Sequence, residues 1–283
     1  MGPAPHLREM GIAVVADLAG VGGNLQDHLA APAIWITQGT TSLHDHENIA
    51  SLLRWQLRHD GPLASTVAEA CAFVRSDPTL PAPDLQYHVA AAAFAENGLA
   101  EPPGPGFTMA PVLVSVASAG TLRLASADPT WRPLIDAGYL SADQDLEALV
   151  TGIGISRQIA REGVLPKWLE REWLPGPAAT GADELREAVR RHSQTLYHPV
   201  GTCAMGIGDQ AVVDPQCRVL GVEGLRVVDA SVMPTVPRGN TNAPTIAIAE
   251  RAADLILGRT PLPAYDPGLA PDPADAPDAR RAT

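Results

Sequence analysis

A chain of 283 residues that is 46% hydrophobic can bury one large core or two ordinary ones. Its formal charge of -12, with no Lys/Arg run, argues against nucleic acid or an anionic membrane surface as the main partner and leaves small neutral or cationic substrates open. The three cysteines, Cys71, Cys203 and Cys217, are widely spaced and form no CxxC pair, which indicates neither a disulfide framework nor a zinc knuckle and suits a cytoplasmic location. No apolar run approaches the roughly 20 residues of a membrane span.

In chain order, residues 3 to 10 read as a short helix closed by Gly11, and "IAVVADL" (12–18) as a strand. "GVGGNLQDHLAAP" follows as a capped loop. Between about residues 32 and 125 the segments "PAIWITQ", "DLQYHVAAA", "PVLVSVAS" and "GTLRLAS" read as strands separated by Pro/Gly/Asp-rich turns, interrupted by one helix at "NIASLLRWQLRHDG". This middle region predicts an antiparallel sheet with helical additions, not a βαβ array. From Ser141, "SADQDLEALVTGIGISRQIARE" and "GADELREAVRRHS" have helical spacing with acidic starts and basic ends. "LRVVDASVMP" reads as a strand ending at Asp229. "PTIAIAERAADLILG" is the final helix, and the Pro/Ala/Asp-rich residues 261–283 read as a disordered tail.

Chemistry concentrates in a few stretches. In "LYHPVGTCAMG" (196–206), Pro199 biases His198 toward an extended backbone, while Gly201, Ala204 and Gly206 permit close approach of another group. His198 is a candidate proton acceptor, since an imidazole titrates near neutrality. From this stretch alone a satisfied turn histidine is the more common reading, and a metal site or nucleophile pair with Cys203 has little support because no second pair of ligands is near. In "RGNTNAPTIAIAERAADLIL", Asn240, Thr241 and Asn242 are capping types and Pro244 suits a first turn, so a helix start and its positive dipole end fall here, fit for an anion, although in isolation this is at least as readily a well-capped amphipathic helix with no ligand. Asp229 at its strand end caps a turn or holds a ligand hydroxyl. "LHDHEN", with His44, Asp45 and His46, is a weak metal pattern in a polar loop. GxGxxG is absent: "GVGGNL" and "GIGISR" both lack the final glycine.

Taken in order, "GPAPHLREMGIAVVADLAGVGGNLQDH", "YHPVGTCAMG", "VVDPQCRVLGVEGLRVVDASVMP" and "GNTNAPTIAIAERAADLI" resemble the glucose-methanol-choline (GMC) oxidoreductases, in their C-terminal half and nearest the choline dehydrogenase-like branch. The resemblance implies an α+β fold: an antiparallel sheet substrate domain with flanking helices, plus segments that would complete a Rossmann-like FAD domain. It divides the chain into 1–30, a remnant of the FAD domain; 31–200, the substrate domain; 201–260, a segment completing the FAD and active site; and the tail. It implies FAD as cofactor and a small alcohol as substrate, whose hydroxyl proton goes to a base and whose hydride goes to flavin N5. His198 then matches the family's active-site histidine and Asn242 its second active-site position. Asp229 and Ala230 match a second FAD contact, the backbone from Asn242 through Ala243 and Pro244 to Thr245 matches the helix start facing the flavin, and Asn24 and His28 match a segment near the cofactor.

Family members are about twice as long, and "MGP" falls where their "SGIGP" motif ends. The expectation is a truncated frame, a late start codon or a split gene, with a separately encoded N-terminal FAD-binding half as partner. The competing expectation is an inactive remnant or a non-enzymatic binding module. A hydrolytic use of Cys203 or Ser231 with His198 is disfavoured by the lack of a nucleophile-elbow sequence.

Overall fold

The computed structural model describes residues 1–260, so the expected disordered tail lies outside the described residues. A short helix α1 (Ala4–Glu9) opens the chain. Strands β1 (Leu29–Ala30) and β2 (Ala33–Thr37) lie end to end along β5 (Gly106–Leu113), and all pairings are antiparallel. β3 (Ala68–Val74) and β4 (Leu85–Ala90) extend the sheet on one side of β5. On the other side, β8 (Leu169–Leu174) pairs with β2, and β9 (Gln194–Thr195) with β1. A separate hairpin joins β6 (Thr121–Arg123) to β7 (Leu134–Asp136). Helices α2 (Ile49–Arg58), α3 (Asp143–Ala160), α4 (Ala182–His192) and α5 (Asn242–Leu257) complete the fold, an α+β architecture as expected.

The main core forms where α3 crosses the sheet. Its Leu146, Leu149 and Ile153, spaced three and four apart, pack on Trp35, Leu85, Met109 and Leu113. Each such side chain contributes roughly 1.5–3 kcal/mol by burial. The approach is close enough that a Cβ on Gly152 would stand 2.6 Å from the Pro111 ring. A second apolar group joins Leu18 to Val212, Val213, Val219 and Val232, tying the first residues to the last third of the described chain.

Three expected strands need correction. Residues 12–18 form none: only an isolated bridge between Gly2 and Asp17 engages them, and Val15 is exposed, because no neighbouring strand continues the pairing. The strand predicted over 111–118 begins earlier and stops at Leu113, since the buried carboxylate of Asp145 takes the Ala117 and Ser118 N–H groups that a ladder would need. No strand ends at Asp229: it caps a 3-10 turn at Ala230–Val232, its side chain accepting from the Ser231 amide at 2.8 Å. The longer strands outside the expected segments carry no visible signal. β3 ("AEACAFV") is an edge strand with mostly exposed side chains, and β8 ("LEREWL") carries three charges.

Candidate active site

The segment 24–30 runs antiparallel to 194–201, with Leu29 opposite Thr195 and Gln26 opposite Val200. The first members of these pairs are three positions apart and the second five, so 194–201 carries two extra residues. They are thrown out as a bulge around Tyr197, which sits in the left-handed region at φ 63°, a costly place for a bulky residue. Pro199 follows, and Gly201 returns at φ 96° so close that a Cβ there would meet the Asn24 carbonyl oxygen at 2.1 Å. The bulge presents His198 back over the facing segment.

Two side chains of "NLQDH" hold it there. Asp27, buried, accepts from the His198 backbone N–H at 2.8 Å with one oxygen and from Thr195 Oγ1 and Tyr139 Oη with the other. Burial, and then Asp27, push the Tyr139 phenol well above its ordinary range. His28, fully buried, places Nδ1 2.9 Å from His198 Nδ1 and Nε2 2.9 Å from the Pro237 carbonyl oxygen, its ring standing nearly perpendicular to that of His198. Burial and then the neighbouring His198 lower the His28 pKa to about 4. Burial also lowers His198, against the pull of Asp27.

A third histidine comes from β4. Gln86 and His88 are two apart, so they share a face of that strand. Gln86 donates to Asn240 Oδ1 at 3.2 Å, which brings the loop before α5 to the sheet. His88 is lowered by burial and then by His198. Its Nε2 and the Oε1 of Gln86 are buried without a hydrogen-bond partner. Such an orphaned atom costs about 1–3 kcal/mol unless a ligand serves it. All three imidazoles are thus shifted toward the neutral form, the state in which a histidine can accept a proton.

Of the residues singled out from sequence, His28 and His198 are in direct contact. Asn24, also at positive φ, donates to the Pro234 carbonyl at 3.0 Å and accepts from Gln26. Asp229 and Ala230 line a cavity of about 440 Å3 with Asp27, Tyr139 and Pro199. Asn242 is the first residue of α5 and is exposed; no side-chain hydrogen bond joins it to His198. Thr241 does not cap that helix, Pro244 has no N–H, and the Thr245 amide and hydroxyl both donate to the Thr241 carbonyl oxygen. Burial pushes the Cys203 thiol up, and Cys203 packs with the second apolar group. The "LHDH" pattern is a capping box, with Asp45 taking the Ser42 amide and hydroxyl. Sequence reasoning gave no site role to Asp27, Tyr139, Gln86 or His88, and read Asn240 only as a capping residue. The alternation of Gln86 and His88 with Leu85, Tyr87 and Val89 was the available signal for two of them.

These features define an α+β domain in which His28 and His198 are in contact beside the sheet and a third histidine, His88, lies on β4. Residues 116–249 match the family model described as GMC oxidoreductase. The chain is 39% identical over 274 residues to an alcohol dehydrogenase [acceptor] of Pseudomonas putida, covering 95% of this chain and 50% of that protein. It is 40% identical over 269 residues to an oxygen-dependent choline dehydrogenase of Chromohalobacter salexigens, covering 93% and 48%. Among solved structures, an Aspergillus oryzae formate oxidase variant studied for FAD modification superposes with TM-score 0.84 at 26% identity, over 91% of this chain and 51% of that one. Pyridoxine 4-oxidase from Mesorbium loti does so with TM-score 0.78 at 28% identity, over 92% and 48%. The chain belongs to the GMC oxidoreductase family, whose members are FAD-dependent flavoproteins. It spans about half the length of the curated relatives it matches. Among the described residues no helix is long and apolar enough to cross a membrane.

Proposed function

We propose that this chain is the substrate-domain half of an FAD-dependent alcohol oxidoreductase in which His198 accepts the hydroxyl proton of a small alcohol. The reading rests above all on the neutral His28–His198 pair, held by Asp27 on a bulge within electrostatic range of the unpartnered His88. The division at residues 30 and 200 is part of the proposal, supported by the separation of the main core from the group joining Leu18 to Val232. The alcohol substrate class comes from the names of the relatives, alcohol dehydrogenase and choline dehydrogenase.

The residues present suit a flavin. The first turn of α5 is left without a side-chain cap, so the Asn242 and Ala243 amides stay available at the positive end of the helix dipole for an electron-rich ring edge. Asp229 and Ala230 would add contacts from the cavity beside Pro199. A bound flavin would supply the hydride acceptor. The side chain of Asn242, exposed at the helix start, would orient the substrate oxygen without competing for its proton. His198 takes that proton, and Asp27 keeps the backbone beneath it in place. Asn24 and His28 support this loop from below. A dinucleotide-binding half, joined or separately encoded, is the proposed partner.

Co-production of this chain with the N-terminal half of the choline dehydrogenase relative tests the assignment. A flavin absorbance spectrum and alcohol oxidation with an artificial electron acceptor are expected, with His198→Ala keeping the flavin and losing about 10²–10⁴-fold in kcat. A flavin-loaded assembly in which His198→Ala oxidises alcohols as fast as the parent would overturn it. An assembly that never takes up flavin favours the non-enzymatic reading.

A further inference from the structure

The two buried contacts of His28 decide where the proton on His198 resides. A carbonyl oxygen only accepts hydrogen bonds, so the His28 Nε2 that faces the Pro237 oxygen at 2.9 Å must carry a hydrogen. His28 is completely enclosed and remains neutral at neutral pH, so this is the only ring proton it has. Its Nδ1 is therefore a lone pair, 2.9 Å from Nδ1 of His198. Two lone pairs at that separation repel, so the hydrogen between the rings belongs to His198. The opposite arrangement, with His28 donating from Nδ1, would set its bare Nε2 against the carbonyl oxygen and forfeit that bond. Asp27 does not intervene, because its two oxygens are engaged by Thr195, Tyr139 and the His198 backbone N–H. Nor does His88 bond to either ring; it bears on His198 only through its field.

We propose that His28 is a positioning residue that holds His198 as its Nδ1–H tautomer, leaving Nε2 as the ring nitrogen with a free lone pair. The assignment of Nε2 as the base for an alcohol rests on the proposed function; the tautomer does not. Among the described residues Nε2 of His198 has no hydrogen-bond partner. Once it takes a proton, the imidazolium keeps donating from Nδ1 to His28 and no further proton has to move. A neutral acceptor behind the base, instead of a carboxylate, leaves the base less basic and hence unprotonated at neutral pH.

The test is long-range 1H–15N correlation spectroscopy of the full chain with 15N-labelled histidine at pH 7.5, with His198 assigned through His198→Gln. The expected spectrum shows His198 protonated at Nδ1 and bare at Nε2, and His28 the reverse. A proton on Nε2 of His198 overturns the inference. In His28→Phe, which keeps a ring but has no acceptor, His198 should lose this tautomer. In His28→Asn, the amide oxygen near the former Nδ1 should restore it. An unchanged His198 spectrum in His28→Phe also refutes the role. In the flavin-loaded assembly, His28→Phe should lower kcat about tenfold with KM within about twofold, as for a lost hydrogen bond, and His28→Asn should recover most of the rate. Because the ring spectrum needs no flavin, the expected tautomer without alcohol oxidation strikes only the proposed function. Oxidation with the wrong tautomer strikes only this inference.

Discussion

Removing the carboxylate of Asp27 should unfasten the bulge that presents His198. In Asp27→Ala, three donors lose an ionised acceptor: the His198 amide at 2.8 Å, Thr195 Oγ1 and Tyr139 Oη. Hydrogen bonds to a charged group are worth about 1.5–3 kcal/mol each, and relief of the buried carboxylate's own desolvation offsets part of that sum. The net expected loss is about 3–4 kcal/mol. Asp27→Asn keeps an oxygen for the His198 amide, and its NH2 can donate to both hydroxyls if they turn. The charge is lost and the hydroxyl hydrogens need new acceptors, so its cost should be smaller, about 1–2 kcal/mol. Urea unfolding of the full chain, followed by tryptophan fluorescence, gives both values as midpoint shifts at constant slope. A loss below about 1 kcal/mol for Asp27→Ala, at unchanged slope, would mean that the bulge stands without this carboxylate and that the reasoning is wrong.

Buried His28 and half-buried His88 and His198 make stability fall in mild acid. His28 binds a proton at about 4 when folded against an ordinary 6.5 when unfolded, so between those values the unfolded chain holds more protons and stability rises with pH. About 3 kcal/mol should be present above pH 6.5 and lost progressively toward pH 4, with His198 and His88 adding in the same direction. Urea midpoints measured across that range should show a shallower slope in His28→Asn, and an equal slope would contradict the assignment. Gly201→Ala combines a positive φ with a clash against the Asn24 carbonyl and should cost about 3 kcal/mol, read from the same unfolding curves. Tyr87→Phe should cost only about 1 kcal/mol: its hydroxyl donates to the Gly152 carbonyl at 2.6 Å, but Ser156 Oγ donates to that oxygen too and remains after the substitution.

The sheet's central strands and the long helices were legible because their apolar spacing follows one burial pattern, as in Ala33–Thr37 and in α3. β3 and β8 escaped because they are held by pairing to one neighbour and not by an apolar face, a property of the partner strand more than of their own residues. The strand expected over 12–18 had the composition but no neighbour. In the site, His198 was visible through its proline and glycines, and the helix start through its capping residues. What joins them was not visible: Asp27 and His28 lie about 170 positions from His198 and meet it only through the β1–β9 register. The tautomer depends on Pro237, whose oxygen carries no side-chain signal at all.

The bulge at Tyr197–His198 holds two extra residues, and that number has its own consequence. Side chains alternate across a sheet with a period of two, so an insertion of two leaves every later residue on its original face, whereas an insertion of one would turn Val200, which is 1% exposed, out of the interior. The loop that carries the histidine can therefore be shortened or lengthened by a pair of residues with the apolar layer behind it undisturbed. Variation at this point in the chain should come in even steps, and chemistry and core can change independently here.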